Sequence, residues 1–297
     1  MKTIDTLVED IYGVVQDRGG WDETVTSFLT GEMRDLFVRR LQDEEQERAG
    51  TLRMSNIGGP CKRKLWYHIH RTNDGEALPA PTRLKFLFGD MLEVLLLSLA
   101  TAAGHRVEGM QDELQIAGIV GHRDAVIDGV TVDIKSASPY SFQKFSSGSL
   151  RGDDPFGYIS QLSSYVYAGR TQTKADSHPN VGAFLVINKV SGEVCLDKYD
   201  FTKDLLWSRE EEFEKTKAMM DSATPPERGF ETEKDGYKSK TGFKANGNEK
   251  LCVNCSYCEF KELCWPGLRT FMYRRGTSFA PTFFTKVVKE PNVMEAK

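Results

Sequence analysis

The stretch GHRDAVIDGVTVDIKSAS, residues 121–138, sets an Asp128-Gly129 pair between two apolar runs. A two-residue loop of that composition marks a β-hairpin, because a type I′ turn needs positive φ at both central positions. Ile127 then opposes Val130, Asp124 opposes Asp133, and His122 opposes Lys135. Alternation with period two predicts Val130, Val132 and Ile134 on the core face, and Thr131, Asp133 and Lys135 on the other. Directly opposed side chains lie about 4.5–5.5 Å apart at Cβ, and like charges placed so destabilise a sheet. A divalent cation gives the aspartate pair a purpose, since Mg²⁺ favours one or two carboxylates with water and phosphate oxygens. Lys135 on the same face suits the stabilisation of developing negative charge or the orientation of water. Taken alone, the stretch fits an exposed polar hairpin equally well, with Lys135 offsetting the aspartates.

On the N-terminal side, a helix is predicted over about 83–103, with Leu84, Leu87, Phe88, Met91, Leu92, Leu95, Leu96 and Leu99 as an apolar stripe. Glu93 interrupts that run. Carboxylates are seldom buried unless paired, so Glu93 is a candidate third acidic group for the hairpin site. Gly89 lies one turn earlier on the same face and admits a close neighbour. On the C-terminal side, a helix over 156–169 places Gln161 and Tyr165 on one face, suited to contact with a base or phosphate.

Short strands are predicted at 113–119, 122–127, 130–135, 181–189 and 193–199, and an amphipathic helix at 202–221. Residues 1–50 read as helical, with Phe28, Leu36, Phe37 and Leu41 at helical spacing. Residues 51–222 then form the core, 223–250 a long linker, and 251–297 a cysteine-bearing segment that packs back on the core. Helices mixed with a short β-meander imply an α/β fold around one central sheet.

The 297 residues are 39% hydrophobic, enough to bury a core and to exclude a disordered or collagen-like chain. The longest apolar run, residues 94–103, falls far short of the roughly 18 residues of a membrane span. The N-terminus MKTIDTLVED is acidic where an export signal is cationic and then apolar, which predicts a cytoplasmic protein. The net charge of −4 hides an uneven distribution. Residues 1–50 carry twelve acidic against six basic side chains, whereas residues 236–297 carry five against eleven. A basic surface for nucleic acid is therefore compatible with the acidic total.

Six cysteines in a reducing compartment point to metal rather than disulfides. Cys252, Cys255, Cys258 and Cys264 have the spacing C-x2-C-x2-C-x5-C, and Cys61 lies in SNIGGPCKRKLWY. Two assignments are open from spacing. One is zinc on the four C-terminal thiolates. The other is a [4Fe–4S] cluster on Cys61, Cys255, Cys258 and Cys264. Cys195, in GEVCLDKY, reads as a small core side chain.

Glu93, Asp124, Asp133-Ile134-Lys135 and Gln161-x-x-x-Tyr165, in that order, resemble the PD-(D/E)XK nuclease superfamily, and within it the RecB-type exonucleases. The resemblance implies a restriction-endonuclease-like core, a mixed sheet flanked by helices. It implies Mg²⁺ or Mn²⁺ on Glu93, Asp124, Asp133 and the Ile134 carbonyl, with Lys135 in catalysis and Gln161 and Tyr165 positioning DNA or the site. It favours the [4Fe–4S] assignment, because CSYCEFKELC matches the C-terminal half of that branch's cluster motif. Cys252 then stands as the extra thiol. The implied partner is DNA, at single-stranded or duplex ends, with a helicase or recombination protein beside it and no membrane. The implied activity is exonucleolytic processing in recombination, repair or replication. Glu at position 93 is closer to phage exonucleases than to CRISPR-adaptation relatives, which usually carry His there. A DNA-binding or processing subunit of a larger assembly is the alternative. Lys62, Arg63, Lys64 and Trp66, together with the basic linker over 223–250, are expected to hold a DNA strand through phosphate contacts and stacking.

Overall fold

A computed structural model describes residues 2–17, 22–41, 50–173, 178–201, 203–275 and 278–296. The chain divides into two units. The first is Met1–Gly59 with Pro79–Asp221, and the second is Pro60–Leu78 with Ser222–Lys297.

In chain order the helices before the main sheet are α1 (Leu7–Gln16), α2 (Glu23–Leu41), α3 (Met54–Ile57), α4 (Lys62–His70, in the second unit) and α5 (Ala80–Ala102). Strands β1 (Val107–Glu108), β2 (Glu113–Ile116), β3 (Ile119–His122), β4 (Ala125–Ile127) and β5 (Val130–Ala137) follow. Helices α6 (Pro139–Ser146) and α7 (Tyr158–Gln172) then lead to β6 (Val181–Asn188), β7 (Val194–Asp200) and α8 (Lys203–Met220). The helical expectation for residues 1–50 is met by α1 and α2, while residues 42–49, Thr202 and the Leu41 side chain lie outside the described residues.

The main sheet has the order β1-β4-β5-β6-β7. β5 and β6 run parallel, and the other neighbours antiparallel. Helices cover both faces. Val130, Val132, Ile134, Ala183 and Leu185 pack with Leu7, Ile11, Leu96 and Leu99 of α1 and α5. Ala137, Phe184 and Val186 pack with Phe145, Leu162 and Val166 of α6 and α7 on the opposite face. This mixed sheet flanked by helices is the restriction-endonuclease-like arrangement that the motif order implied.

The β4–β5 hairpin has the register that its turn dictates: Ala125 pairs with Val132, Val126 with Thr131 and Ile127 with Val130. Asp128 and Gly129 have φ of 51° and 83°, as a type I′ turn requires. The hairpin is nevertheless shorter than predicted. His122 does not oppose Lys135, because it ends β3 and pairs with Glu113 of β2. Arg123 is the reason. Its guanidinium is fully buried, donating to Asp112 Oδ2 at 2.8 Å, Thr173 Oγ1 at 3.0 Å and Thr131 Oγ1 at 3.3 Å. A buried charge must be paired and hydrogen-bonded, so the chain turns here to meet its partners and the ladder breaks.

The α5 stripe also divides. Leu96, Leu97 and Leu99 are core, whereas Leu84 is 64% exposed and Phe88 44%. Only the C-terminal half of α5 lies over the sheet, so helical periodicity overstated the buried face. Among the described residues, no helix is long and apolar enough to cross a membrane.

The second unit holds β8 (Thr232–Ser239), β9 (Gly242–Leu251), α9 (Val253–Ser256), α10 (Lys261–Cys264), β10 (Arg269–Arg275), β11 (Ser278–Lys286) and β12 (Glu295–Ala296). Its sheet has the order β12-β10-β11-β9-β8, antiparallel throughout. Residues 223–250, read from sequence as a linker, thus contain most of a β-hairpin. Its tip is exposed on both faces, which erased the alternation that marks a strand. Pro60–Leu78, read as part of the core, groups instead with the C-terminal residues. The Tyr67 ring lies 5.5 Å from that of Phe260 at a tilt of 34°, Glu76 N donates to Glu259 O at 2.9 Å, and Lys261 pairs with Glu76.

Candidate active site

Asp133 and Lys135 are presented by β5, a strand held on one side by β4 and on the other by β6. Asp124 sits just before β4, its carboxylate accepting from Ile134 N at 2.6 Å. That bond ties the two acidic positions of the hairpin together although the ladder itself stops at Ala125. Glu93 comes from α5, where Gln111 Nε2 donates to its Oε1 at 3.0 Å. The helix approaches β5 closely at Gly89, whose added Cβ would lie 3.4 Å from Ser136 Oγ.

These groups form one electrostatic array. Burial, then repulsion from Asp133 and Asp90, pushes the Glu93 carboxyl up to about 7. Burial, then Glu93 and Asp133, raises Asp124 well above the ordinary carboxylate range, and burial raises Asp133. Burial works to lower Lys135, but the carboxylates of Asp133 and Asp124 outweigh it and hold the ammonium charged. Lys135 Nζ lies 2.5 Å from Asp133 Oδ2. Asp133 Oδ1 is buried and has no hydrogen-bond partner among the described residues. An unsatisfied buried carboxylate oxygen is costly, and three carboxylates facing one lysine leave excess negative charge. That donor set fits a hard divalent cation. The described side chains do not, as they stand, close around a point as a ready-made metal cage.

Helix α7 supplies the remaining predicted residues. Tyr165 is buried, its phenol raised first by burial and then by Asp133, with the Gln161 amide at its hydroxyl. Both therefore border the array. Sequence reading missed Tyr158, whose ring centroid is 5.2 Å from Lys135 Nζ. It also missed Asp154, which fixes the start of α7. Its Oδ1 accepts from Gly157 N and Tyr158 N at 3.0 Å each, and its Oδ2 from Ile159 N at 2.9 Å. Asp-x-x-Gly before an apolar run is a capping signal that could have identified it.

In the second unit, Cys255 contacts Cys252 and faces Cys61 and Cys258. Burial, then the neighbouring thiols, pushes Cys255 up to about 12, and burial pushes Cys258 up to about 11. Cys61 thus lies within electrostatic reach of Cys255, but the described cysteines do not form a ready-made metal-holding group. The gathered group includes Cys252, the rival to Cys264. Cys264 ends α10, where its carbonyl accepts from Arg228 Nη2 at 2.7 Å. Cys195 is half-buried in β7, and burial raises its thiol to about 12. The residues expected to grip DNA near Cys61 serve the unit's own structure. Arg63 donates to Pro226 O at 2.7 Å, Trp66 Nε1 donates to Ser222 O at 2.8 Å, and Lys64 pairs with Glu259 at 3.1 Å.

No curated protein matches the sequence. Solved structures give low similarity scores. The protein SSO0001 is 16% identical with a TM-score of 0.43, covering 81% of this chain and 96% of its own. An alkaline exonuclease from Laribacter hongkongensis is 15% identical with a TM-score of 0.41, covering 59% and 90%. The same exonuclease in complex with dAMP scores 0.38 at 15% identity, with the same coverage. The family model of the PD-(D/E)XK nuclease superfamily matches residues 32–265, a span that contains the whole acidic array and all four C-terminal cysteines. By that match, the chain belongs to the PD-(D/E)XK nuclease superfamily.

Proposed function

We propose that this nuclease is a metal-dependent DNA exonuclease that hydrolyses phosphodiester bonds from DNA ends. The observation that carries the reading is the buried Asp133 with its unpartnered Oδ1, set among Glu93, Asp124 and a single charged Lys135. Glu93, Asp124, Asp133 and the Ile134 carbonyl would hold one or two Mg²⁺ or Mn²⁺ ions. A divalent cation there supplies neutralisation of the phosphate and a water of lowered pKa. Lys135 carries a fixed positive charge to the phosphate oxygens and steadies the attacking water. Asp124 holds Ile134 N, and so sets the direction of the Ile134 carbonyl. Tyr165 and Gln161 position the strand beside the array.

The gathered thiols are read as ligands of a [4Fe–4S] cluster, with Cys61, Cys255 and Cys258 as three of them and Cys264 as the fourth proposed from sequence. Four thiolates suit such a cluster and also zinc. Binding there would hold Cys61 to the C-terminal segment, so cluster energy becomes folding energy. Anaerobic purification with iron, sulfide and zinc analysis decides between them. Zinc without sulfide refutes the cluster, and the Cys252→Ala and Cys264→Ala variants show which of the two is the fourth ligand.

The cleavage test uses end-labelled linear and circular DNA with Mg²⁺ or Mn²⁺. Degradation of linear DNA alone, lost in Asp133→Ala and Lys135→Ala while DNA binding survives, is the expected result. Cutting of circles at the same rate refutes exonuclease action, and unchanged digestion by both variants refutes the site.

A further inference from the structure

The tip of the β8–β9 hairpin combines three features that the catalytic reading does not use. It is basic, since residues 236–245 read GYKSKTGFKA and contain Lys238, Lys240 and Lys244 with no acidic side chain. It is aromatic and open, with Tyr237 62% and Phe243 56% exposed and all three lysines exposed. It is also ordered by cross-strand pairing: Tyr237 opposes Lys244 and Lys238 opposes Phe243. Opposed residues share a face of a two-stranded ribbon. Each face of the tip therefore carries one ring and one ammonium.

Large aromatic side chains exposed on a polar ribbon need a reason, because their burial is worth far more than their display. Phe243 reaches across the ribbon toward Gly236. A Cβ at Gly236 would lie 2.8 Å from Phe243 Cζ, so the glycine leaves the space into which the ring leans. The hairpin thereby presents a ring beside a cation on each of its two faces. Rings offer a stacking surface to any base, and flanking ammonium groups neutralise successive phosphates. A duplex keeps its bases stacked inside, which leaves the rings unused, so the chemistry fits an unpaired strand.

We propose that the β8–β9 tip is a binding site for single-stranded DNA, with Tyr237 and Phe243 stacking on bases and Lys238, Lys240 and Lys244 contacting phosphates. The site stands on the second unit alone and does not depend on the metal-dependent cleavage proposed above.

The full chain in EDTA, where cleavage is silent, is titrated onto a fluorescein-labelled oligothymidylate of about 20 nucleotides across a salt series. Tyr237→Ala/Phe243→Ala is expected to weaken binding by about tenfold per ring with the salt slope unchanged. Lys238→Gln/Lys240→Gln/Lys244→Gln is expected to flatten the log–log salt slope by about two units, near 0.7 per phosphate contact. The lysine variant leaves the rings in place, so it carries the test if the aromatic variant does not fold. Affinity and slope unchanged in both overturn the proposal. An equal loss on duplex of the same length overturns the single-strand assignment, and tighter wild-type binding to oligouridylate overturns the choice of DNA. Retained cleavage with unchanged oligothymidylate binding removes the hairpin site and leaves the nuclease reading standing, and lost cleavage with hairpin-dependent binding does the reverse.

Discussion

Replacing Glu93 with glutamine probes the carboxylate array without relying on catalysis. The Glu93 carboxyl rises from an ordinary 4.5 to about 7, first through burial and then through Asp133 and Asp90. A group whose folded value is raised favours the folded state below its unfolded value, and that contribution is lost as pH climbs through the folded value. The window is therefore about pH 4.5 to 7. Above it, keeping Glu93 ionised in the fold costs on the order of 3 kcal/mol. Glu93→Gln removes that cost, and its amide oxygen can still accept from Gln111, whose donor sits 3.0 Å away. It also removes a charge that raises Asp124, so the relief is not confined to one residue. In EDTA the variant should match wild type near pH 4.5 and pull ahead by about 6–12 °C in Tm at pH 8.5, at roughly 2–4 °C per kcal/mol for a unit of this size. Thermal unfolding followed by circular dichroism at constant ionic strength reads the gap. Millimolar Mg²⁺ should narrow it, since cation binding favours the wild-type carboxylate. Tm curves that stay parallel from pH 5 to 9 would refute the reasoning, because they would mean that Glu93 is neither desolvated nor coupled to its neighbours.

Arg123→Met should destabilise by about 2–4 kcal/mol in urea titration, because it strands Asp112 beside a buried site and leaves Thr131 and Thr173 without their shared donor; a loss under 1 kcal/mol would show that the guanidinium is dispensable. Gly109 has φ of 57°, and an added Cβ would fall 2.5 Å from Asp112 Oδ2. Gly109→Ala should therefore cost about 2 kcal/mol or more through strain and clash, with most of the loss shared with Arg123→Met in a double-mutant cycle. Asp154→Ala removes the acceptor of three amides at the start of α7 and should cost about 1–2 kcal/mol, while Asp154→Asn recovers more than half. An alanine variant as stable as wild type would mean that solvent replaces the cap.

The acidic array was legible in the sequence because its constraints are local. Asp128-Gly129 fixes a turn, the turn fixes a register as far as Ala125 opposite Val132, and Asp124, just beyond the ladder, stays beside Asp133 through its bond from Ile134 N. The same logic fails beyond the Ala125–Val132 pair. His122 and Lys135 should have met, but Arg123 must reach Asp112, Thr131 and Thr173, and no spacing rule reports a distant acceptor. Periodicity likewise told which side of α5 is apolar, but could not tell where the sheet beneath it ends, so Leu84 and Phe88 were placed in a core they never enter.

The polar hairpin shows the opposite failure. Strands are recognised by one-sided burial, and the tip of β8–β9 buries neither face. Its strand character comes from backbone pairing, with Gly242 and Ser239 closing the turn, and from Phe243 leaning over Gly236. A segment that looks like a linker because it lacks a hydrophobic period can thus be an ordered ribbon whose side chains all face outward. Where those side chains are lysines and aromatic rings, the missing period is itself informative: the sequence has kept both faces free of the core, and the two faces carry the same pair of chemical groups.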